Sequence, residues 1–281
     1  MANIVDKNEE TNCETKALVS VIMTVFNEQP YMIHESILSI LNQTYKNFEL
    51  LIFDDSTNDD SKKAVDYFSS DKRVKIFREA NRIGFVPSLN RGLTIAEGDY
   101  IARMDADDIS LNNRFELEVE FLSQHSNVGV VGGQLNIINE KGEIISSRKY
   151  PCSGMKLFFY SAIRCPLAHP TIMMKKAIAD DGFRYDENLK TCEDLDLWLR
   201  LMNNGIKLVN IPETVLNYRV TDNFISKRSN RKQLENVALV RNRNFSKRYF
   251  FHSVMSCITA WLFLNAPVSL IQGAYKNENR S

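Results

Sequence analysis

Asp99-Tyr100-Ile101-Ala102-Arg103-Met104-Asp105-Ala106-Asp107-Asp108 is a short apolar strand that runs into three carboxylates within four residues. Carboxylates packed that closely repel one another unless water, a cation or a strong donor compensates them. A hard divalent ion such as Mg²⁺ or Mn²⁺ takes oxygen ligands, one or two from protein and the rest from phosphate and water. Asp105 and Asp107, separated by the small Ala106, are therefore candidate ligands for a metal–diphosphate at a strand end. Capping is the competing reading, because Asp107 or Asp108 ahead of a helix at 112–124 would also suit its dipole.

Working outward, residues 18–25 form an apolar, β-branched run that ends at Phe26-Asn27-Glu28, and 48–53 form another that ends at Asp54-Asp55-Ser56. Continuous apolar runs suit parallel strands covered on both faces. Between and after them, 31–41, 60–68 and 84–96 carry helical apolar stripes, and 74–77 is a third short strand. Strand and helix alternate four times before Asp105, which predicts a doubly wound, mostly parallel α/β sheet. Ligands of such sheets bind beyond the carboxyl ends of the strands. Asn27, Asp54-Asp55, Asn81-Arg82 and Asp105–Asp108 all fall at those ends and should converge on one rim.

After 128–132 the pattern loosens. Residues 135–138 and 144–147 flank Asn139-Glu140-Lys141-Gly142 as a hairpin would; 171–174, 207–209 and 215–218 read as strands, and 194–203 as a helix that opens in acids. The expected organisation is a disordered leader at 1–16, a half with the strand-end ligand site at 17–132, a mixed half of the same domain for a second substrate at 133–225, and a helical tail at 226–281. The chain has no net charge, which argues against a dedicated nucleic-acid binder. That zero hides an asymmetry. Residues 226–248 hold eight bases against Glu235, and only Lys276, Glu278 and Arg280 follow. Removing those ten bases and two acids from the 35 of each leaves 25 bases and 33 acids in residues 1–225. The five cysteines are scattered without metal or redox spacing, as reduced thiols of a cytosolic compartment would be.

Four features stand in order: Val21-Ile22-Met23-Thr24-Val25-Phe26-Asn27, Asp54-Asp55-Ser56, Asp105-Ala106-Asp107-Asp108 and Glu193-Asp194-Leu195-Asp196-Leu197-Trp198. This set resembles the family 2 inverting glycosyltransferases of the GT-A fold, over about residues 17–222. The resemblance implies that Thr24, Phe26 and Asn27 lie in a nucleotide-sugar site, with Phe26 stacking on the base. It implies that Asp55 accepts from the base imide, beside its less constant neighbour Asp54. Asn81, Arg82 and Arg103 match positions near the nucleotide, Asp105 lies by the ribose and the metal's water shell, and Asp107 ligates Mn²⁺ or Mg²⁺. Asp194 matches the general base. Glu193, Trp198, His169 and Arg219 fall on the acceptor or diphosphate side. Many relatives carry a His two residues after the late Tyr-Arg pair; here that position is Thr221, followed by Asp222.

Each residue also has a plainer reading. Phe26 would serve as a core aromatic, Asp55 and Asp59 as turn or capping residues, His169 as a buried structural imidazole, and Glu193, Asp194 and Asp196 as first-turn helix acids. The stretch 254–271 is apolar, too short and interrupted by Asn265 and Pro267 for a comfortable membrane span. With the basic run before it, it reads as a helix at a membrane surface; packing on the chain's own domain or on a second subunit is the alternative.

The resemblance therefore implies a metal-dependent hexosyltransferase that moves glucose or galactose from a UDP-sugar to a hydroxyl, with inversion to a β-linkage. The acceptor would be a glycan or polyprenyl-diphosphate-linked glycan in surface-polysaccharide (O-antigen or capsule) synthesis, at the cytoplasmic face of the inner membrane. A non-catalytic sugar-nucleotide-binding module and a nucleotidyltransferase are the rival classes. The intact acids speak against the first, and the absence of a Gly- and Arg/Lys-rich loop after the first strand speaks against the second.

Overall fold

The structure is a computed structural model that describes residues 16–220, 230–267 and 270–273. All of the expected leader except Lys16 lies outside those residues, as do Thr221 and Asp222. The first half alternates as the pattern predicts: β1 (Val19–Val25), α1 (Pro30–Leu41), β2 (Phe48–Asp54), α2 (Asp59–Asp66), β3 (Val74–Phe77), α3 (Phe85–Ile95) and β4 (Tyr100–Asp105). Local signals set the helix starts. Pro30 opens α1 at a position where its missing N–H costs nothing, and Asn58, not Asp59, caps α2 by accepting from the Ser61 N–H.

The four strands pair in parallel in the order β3-β2-β1-β4. Alternate residues of β1 face opposite layers, as the pleat requires. Val19, Val21, Met23 and Val25 pack with Ile33, Ile37 and Ile40 of α1, while Ile22 packs with Val86, Leu89 and Leu93 of α3. At Gly92 a Cβ would come within 2.8 Å of the Ile22 side chain, so this glycine is what lets α3 settle onto β1.

The sheet then turns mixed. β5 (Ile109–Ser110), α4 (Arg114–Gln124), β6 (Val128–Ile138), β7 (Ile144–Arg148), α5 (Gly154–Ser161), β8 (Met173–Lys175), α6 (Lys176–Asp180), α7 (Glu193–Asn203) and β9 (Lys207–Arg219) follow. Antiparallel β8 joins β4 to β6, β6 runs parallel to β9, and β7 folds back on β6 as the expected hairpin. Two pairs of expected strands are each one long strand. β6 continues through Gly132-Gly133 and across the expected division at 132, and β9 continues through Pro212 with shifts of register. A proline without a ladder donor is tolerated at such an irregularity. At Gly133 a Cβ would lie 2.5 Å from the Val215 side chain, so the glycine permits the close β6–β9 approach. The strand expected from Thr171 begins later, because Pro170 belongs to a 3₁₀ turn over His169–Thr171.

The C-terminal segment forms α8 (Arg231–Arg243) and α9 (Phe250–Asn265), and both dock on the sheet-bearing body. Val240 joins Leu189, Cys192, Leu195 and Leu199 in a small apolar cluster between α7 and α8. Arg243 bridges Asp196 (2.6 Å) and Asp186 (2.7 Å), and Asn244 donates to Asp196 (2.8 Å). α9 turns its small and polar residues inward: His252 bonds Ser161 (2.8 Å) and Thr259 donates to the Ala162 carbonyl (2.7 Å). Phe251, Ile258, Trp261 and Leu262 point outward instead, with Phe251 84% exposed. Among the described residues, no helix is long and apolar enough to cross a membrane.

Candidate active site

The parallel register brings the strand ends together: Val25 lies beside Asp54, and Thr24 beside Asp105. Beyond them is a cavity of about 100 Å³ lined by Thr24, Phe26, Glu28, Asp55, Arg82 and Asp107, among others. Phe26 is 38% exposed, and the Arg82 guanidinium lies 3.5 Å over its ring. Asp55 accepts the backbone N–H groups of Gly84 (2.7 Å) and Ile83 (3.3 Å), which moors the Asn81–Gly84 loop to the end of β2.

Asp105, Asp107 and Asp108 each offer an oxygen within 4.8 Å of the others. Arg103, buried on β4, donates from both Nη atoms to Asp105 (Nη1 at 2.5 Å). Burial first, then the charges of Asp105 and Glu28, push the Asp107 carboxyl up to about 7. Burial, then the charges of Asp107 and Asp105, also hold Asp108 well above the usual carboxylate range. Asp108 Oδ1 accepts the Arg219 N–H (2.8 Å), while its Oδ2 is buried without a hydrogen-bond partner. Three close carboxylates, two raised by burial and by their neighbours' charge and one with an orphaned oxygen, fit the donor set of a hard divalent cation.

A second cavity, of about 190 Å³, shares Asp105 with the first and reaches His169, Glu193 and Asp194. Cys192 holds φ at 65°, a left-handed conformation that costs a non-glycine residue about 1–3 kcal/mol. Its carbonyl nevertheless accepts the Asp196 N–H (3.0 Å), so the chain turns sharply into α7 just before the Glu193-Asp194 pair. Asp194 accepts from the Leu195 N–H (2.7 Å) and the Cys165 thiol (3.4 Å). Burial and the Asp194 charge push Glu193 up to about 7. Burial, aided by Arg103, drives His169 well below its ordinary range, so the imidazole is neutral. His169 bonds Tyr185 Oη (2.8 Å), and its approach to Glu193 (3.9 Å) is therefore no ion pair. A third cavity, of about 570 Å³, begins at Glu193 and Asp194 and extends to α8 and α9.

Several expected site residues lie elsewhere. Asn27, at φ 63°, uses its amide to clasp Thr57 and Asn58 (Oδ1 at 2.8 Å from the Thr57 N), which fixes the β2–α2 loop. Asp54 is buried against Arg78 (2.7 Å). Asn81 lies exposed outside the lining of the nucleotide-side cavity. Trp198 is fully buried in the core beneath His169, edge-on to it at 6.1 Å. Arg219 is also buried; it donates to the carbonyls of Asp107 (2.7 Å) and Glu140 (2.8 Å) and pairs with Glu35 (2.6 Å). It thus props the acidic loop from behind. Asp196 is consumed by Arg200 and Arg243, in keeping with a structural acid.

Conversely, Glu28, Phe85 and Arg241 line the cavities without having been singled out from sequence. Glu28 directly follows Phe26-Asn27, a signal that was available; Arg241 lay hidden inside a basic run.

The glycosyl transferase family 2 model matches residues 20–183. An uncharacterized glycosyltransferase of Methanocaldococcus jannaschii is 32% identical over 246 residues, covering 85% of this chain and 83% of the relative. The O-antigen biosynthesis glycosyltransferase WbnJ of Escherichia coli is 35% identical, covering 86% of this chain and 94% of WbnJ. Among solved structures, S. aureus TarS 1–349 in complex with UDP-GlcNAc superposes with a TM-score of 0.69 at 18% identity, covering 87% of this chain and 72% of that one. The mannosyltransferase PcManGT of Pyrobaculum calidifontis, in complex with GDP-Man and Mn²⁺, gives 0.64 at 16% identity, covering 94% and 81%. The two superpositions show a shared GT-A-like fold; the family match and the relatives above 30% identity make this chain a member of glycosyltransferase family 2.

Proposed function

We propose that the protein transfers a hexosyl group, glucose or galactose, from a UDP-sugar to a hydroxyl of a lipid-linked or free glycan in surface-polysaccharide synthesis. The observation that carries this reading is a run of three cavities that share lining residues. Asp105 is common to the nucleotide-side and central cavities, and Glu193 and Asp194 are common to the central and outer ones. A donor in the first two would present its anomeric carbon between the acidic loop and Asp194, with the acceptor entering from the third.

Phe26 offers a ring for the uracil, and Asp55 keeps lone pairs for its imide N–H while mooring the neighbouring loop. Asp105, Asp107 and Asp108 would hold Mn²⁺ or Mg²⁺, which neutralises charge on the diphosphate leaving group when bound. Arg103 fixes the orientation of Asp105 and adds positive potential to the central cavity. Asp194 takes the proton of the attacking hydroxyl as its oxygen bonds to the anomeric carbon and the bond to the diphosphate oxygen breaks. One displacement inverts the centre, so an α-linked donor gives a β-linked product.

The WbnJ likeness supports the polysaccharide setting, and TarS with UDP-GlcNAc supports a uridine nucleotide. The outward apolar residues of α9, next to exposed Lys247 and Arg248, support docking on an anionic membrane surface at the cytoplasmic face. The deciding experiment incubates the full chain with UDP-glucose, UDP-galactose and UDP-GlcNAc plus Mn²⁺, and follows UDP release. Release from UDP-glucose or UDP-galactose, with β-anomeric proton coupling in the product, is expected; no release from any UDP-sugar overturns the donor assignment. Sedimentation of Trp261→Ser with anionic vesicles tests the surface: binding equal to the parent chain overturns it.

A further inference from the structure

We infer that the outer cavity recognises an oxyanion on the acceptor, and that Arg241, delivered by α8, is the residue that receives it. The word acceptor rests on the transferase reading above; the anion site does not. Arg241 is 3% exposed, yet it lines the cavity that begins at Asp194. Its Nη1 donates to the Ser161 carbonyl (2.9 Å) and the Ser256 hydroxyl (2.7 Å), both uncharged.

Of the four other buried arginines, three face a carboxylate, Arg103 having Asp105, Arg114 Glu118 and Arg219 Glu35, and the fourth, Arg148, lines the same cavity as Arg241. Arg241 makes no ion pair with a carboxylate among the described residues; its neighbours include the uncharged thiols of Cys192 and Cys257 and the like-charged guanidinium of Arg164. Burial pushes it down only to about 10, so it stays charged at neutral pH. A buried, uncompensated cation is costly and is retained where an anion completes it. Lys190 at the exposed mouth of the same cavity adds to the positive potential, and Tyr150, Tyr160 and Phe263 supply apolar faces beside it. Two chemical sources offer such an oxyanion: the diphosphate that links a glycan to its lipid, and the carboxylate of an acidic sugar.

The test titrates the full chain calorimetrically with inorganic pyrophosphate, glucuronate and neutral cellobiose in excess chelator, where the acidic loop repels anions. At least one anion should bind, and Arg241→Met should weaken it by about tenfold or more while Arg241→Lys retains most of the affinity. Preference for pyrophosphate assigns the lipid diphosphate, and preference for glucuronate assigns the acidic sugar. Ser256→Asp places a carboxylate against Arg241 in a chain that keeps every cation. It should abolish anion binding without lowering the melting temperature, and it decides the matter if Arg241→Met fails to fold. Failure of both anions to bind the parent chain overturns the inference, as does undiminished binding by Ser256→Asp. UDP-sugar hydrolysis by the parent chain in Mn²⁺ is measured alongside. Hydrolysis without anion binding sinks this inference alone, and anion binding without hydrolysis sinks the UDP-sugar donor reading alone.

Discussion

The two ends of the cleft are built in different ways. On the nucleotide side, β1, β2 and β4 run in parallel, and their register alone brings Thr24, Asp54-Asp55 and Asp105 to one rim. On the acceptor side nothing so regular operates. Asp194 sits behind a left-handed Cys192, and its surroundings come from the 150–165 segment and from α8 and α9, far along the chain. The first end is a property of a sheet edge; the second is an assembly of separately folded pieces. Damage to the first should therefore remain local to donor handling, while the second should be sensitive to contacts remote from the chemistry.

Asp194→Asn tests this most severely. It preserves shape but cannot take a proton, so turnover should fall by about 10²–10⁴-fold with donor KM unchanged. Near-normal turnover in Asp194→Asn, with activity lost in Glu193→Gln, would move the base to the neighbouring acid. On the nucleotide side, Asp107→Asn or excess chelator should lower turnover by about 10²–10³-fold. UDP affinity should then no longer respond to Mn²⁺; full activity in chelator would refute the metal assignment. Arg243→Ala cuts the ties from α8 to Asp196 and Asp186 without touching any cavity that holds the acids of the loop. Acceptor KM should rise by roughly three- to tenfold while donor hydrolysis is preserved; an equal loss of both would mean that the two ends are not separable.

The smallest effect tests the scaffold that both ends share. Glu118 is buried against Arg114 in α4, and burial outweighs that partner to push its carboxyl up to about 7. A carboxyl raised on folding contributes stability that is fully present below about 4.5 and is lost as pH rises through about 7. The melting temperature should therefore decline by a few degrees across that window, and Glu118→Gln should flatten the decline. An unchanged slope in Glu118→Gln would assign it to other groups.

Sequence by itself determined the parallel half of the sheet, because apolar runs and helical stripes there alternate at short range and each ends in its own polar cluster. It also determined the order of the acidic motifs, and hence the family. Residues whose type fits two roles are not separable in the sequence. Asn27, Asp54 and Arg219 have the chemistry of ligand contacts, yet their hydrogen bonds are taken up by Thr57, by Arg78 and by backbone carbonyls. Only the tertiary structure decided that Trp198 belongs to the core, because burial depends on which layer a helix face meets. Only it decided where Arg241 and Arg243 of the basic C-terminal run would lie. Arg243 is tied to two aspartates and Arg241 is buried at the edge of a cavity. Charge is legible one residue at a time, but its counter-ion lies wherever the fold brings a distant segment, and no local pattern records that distance.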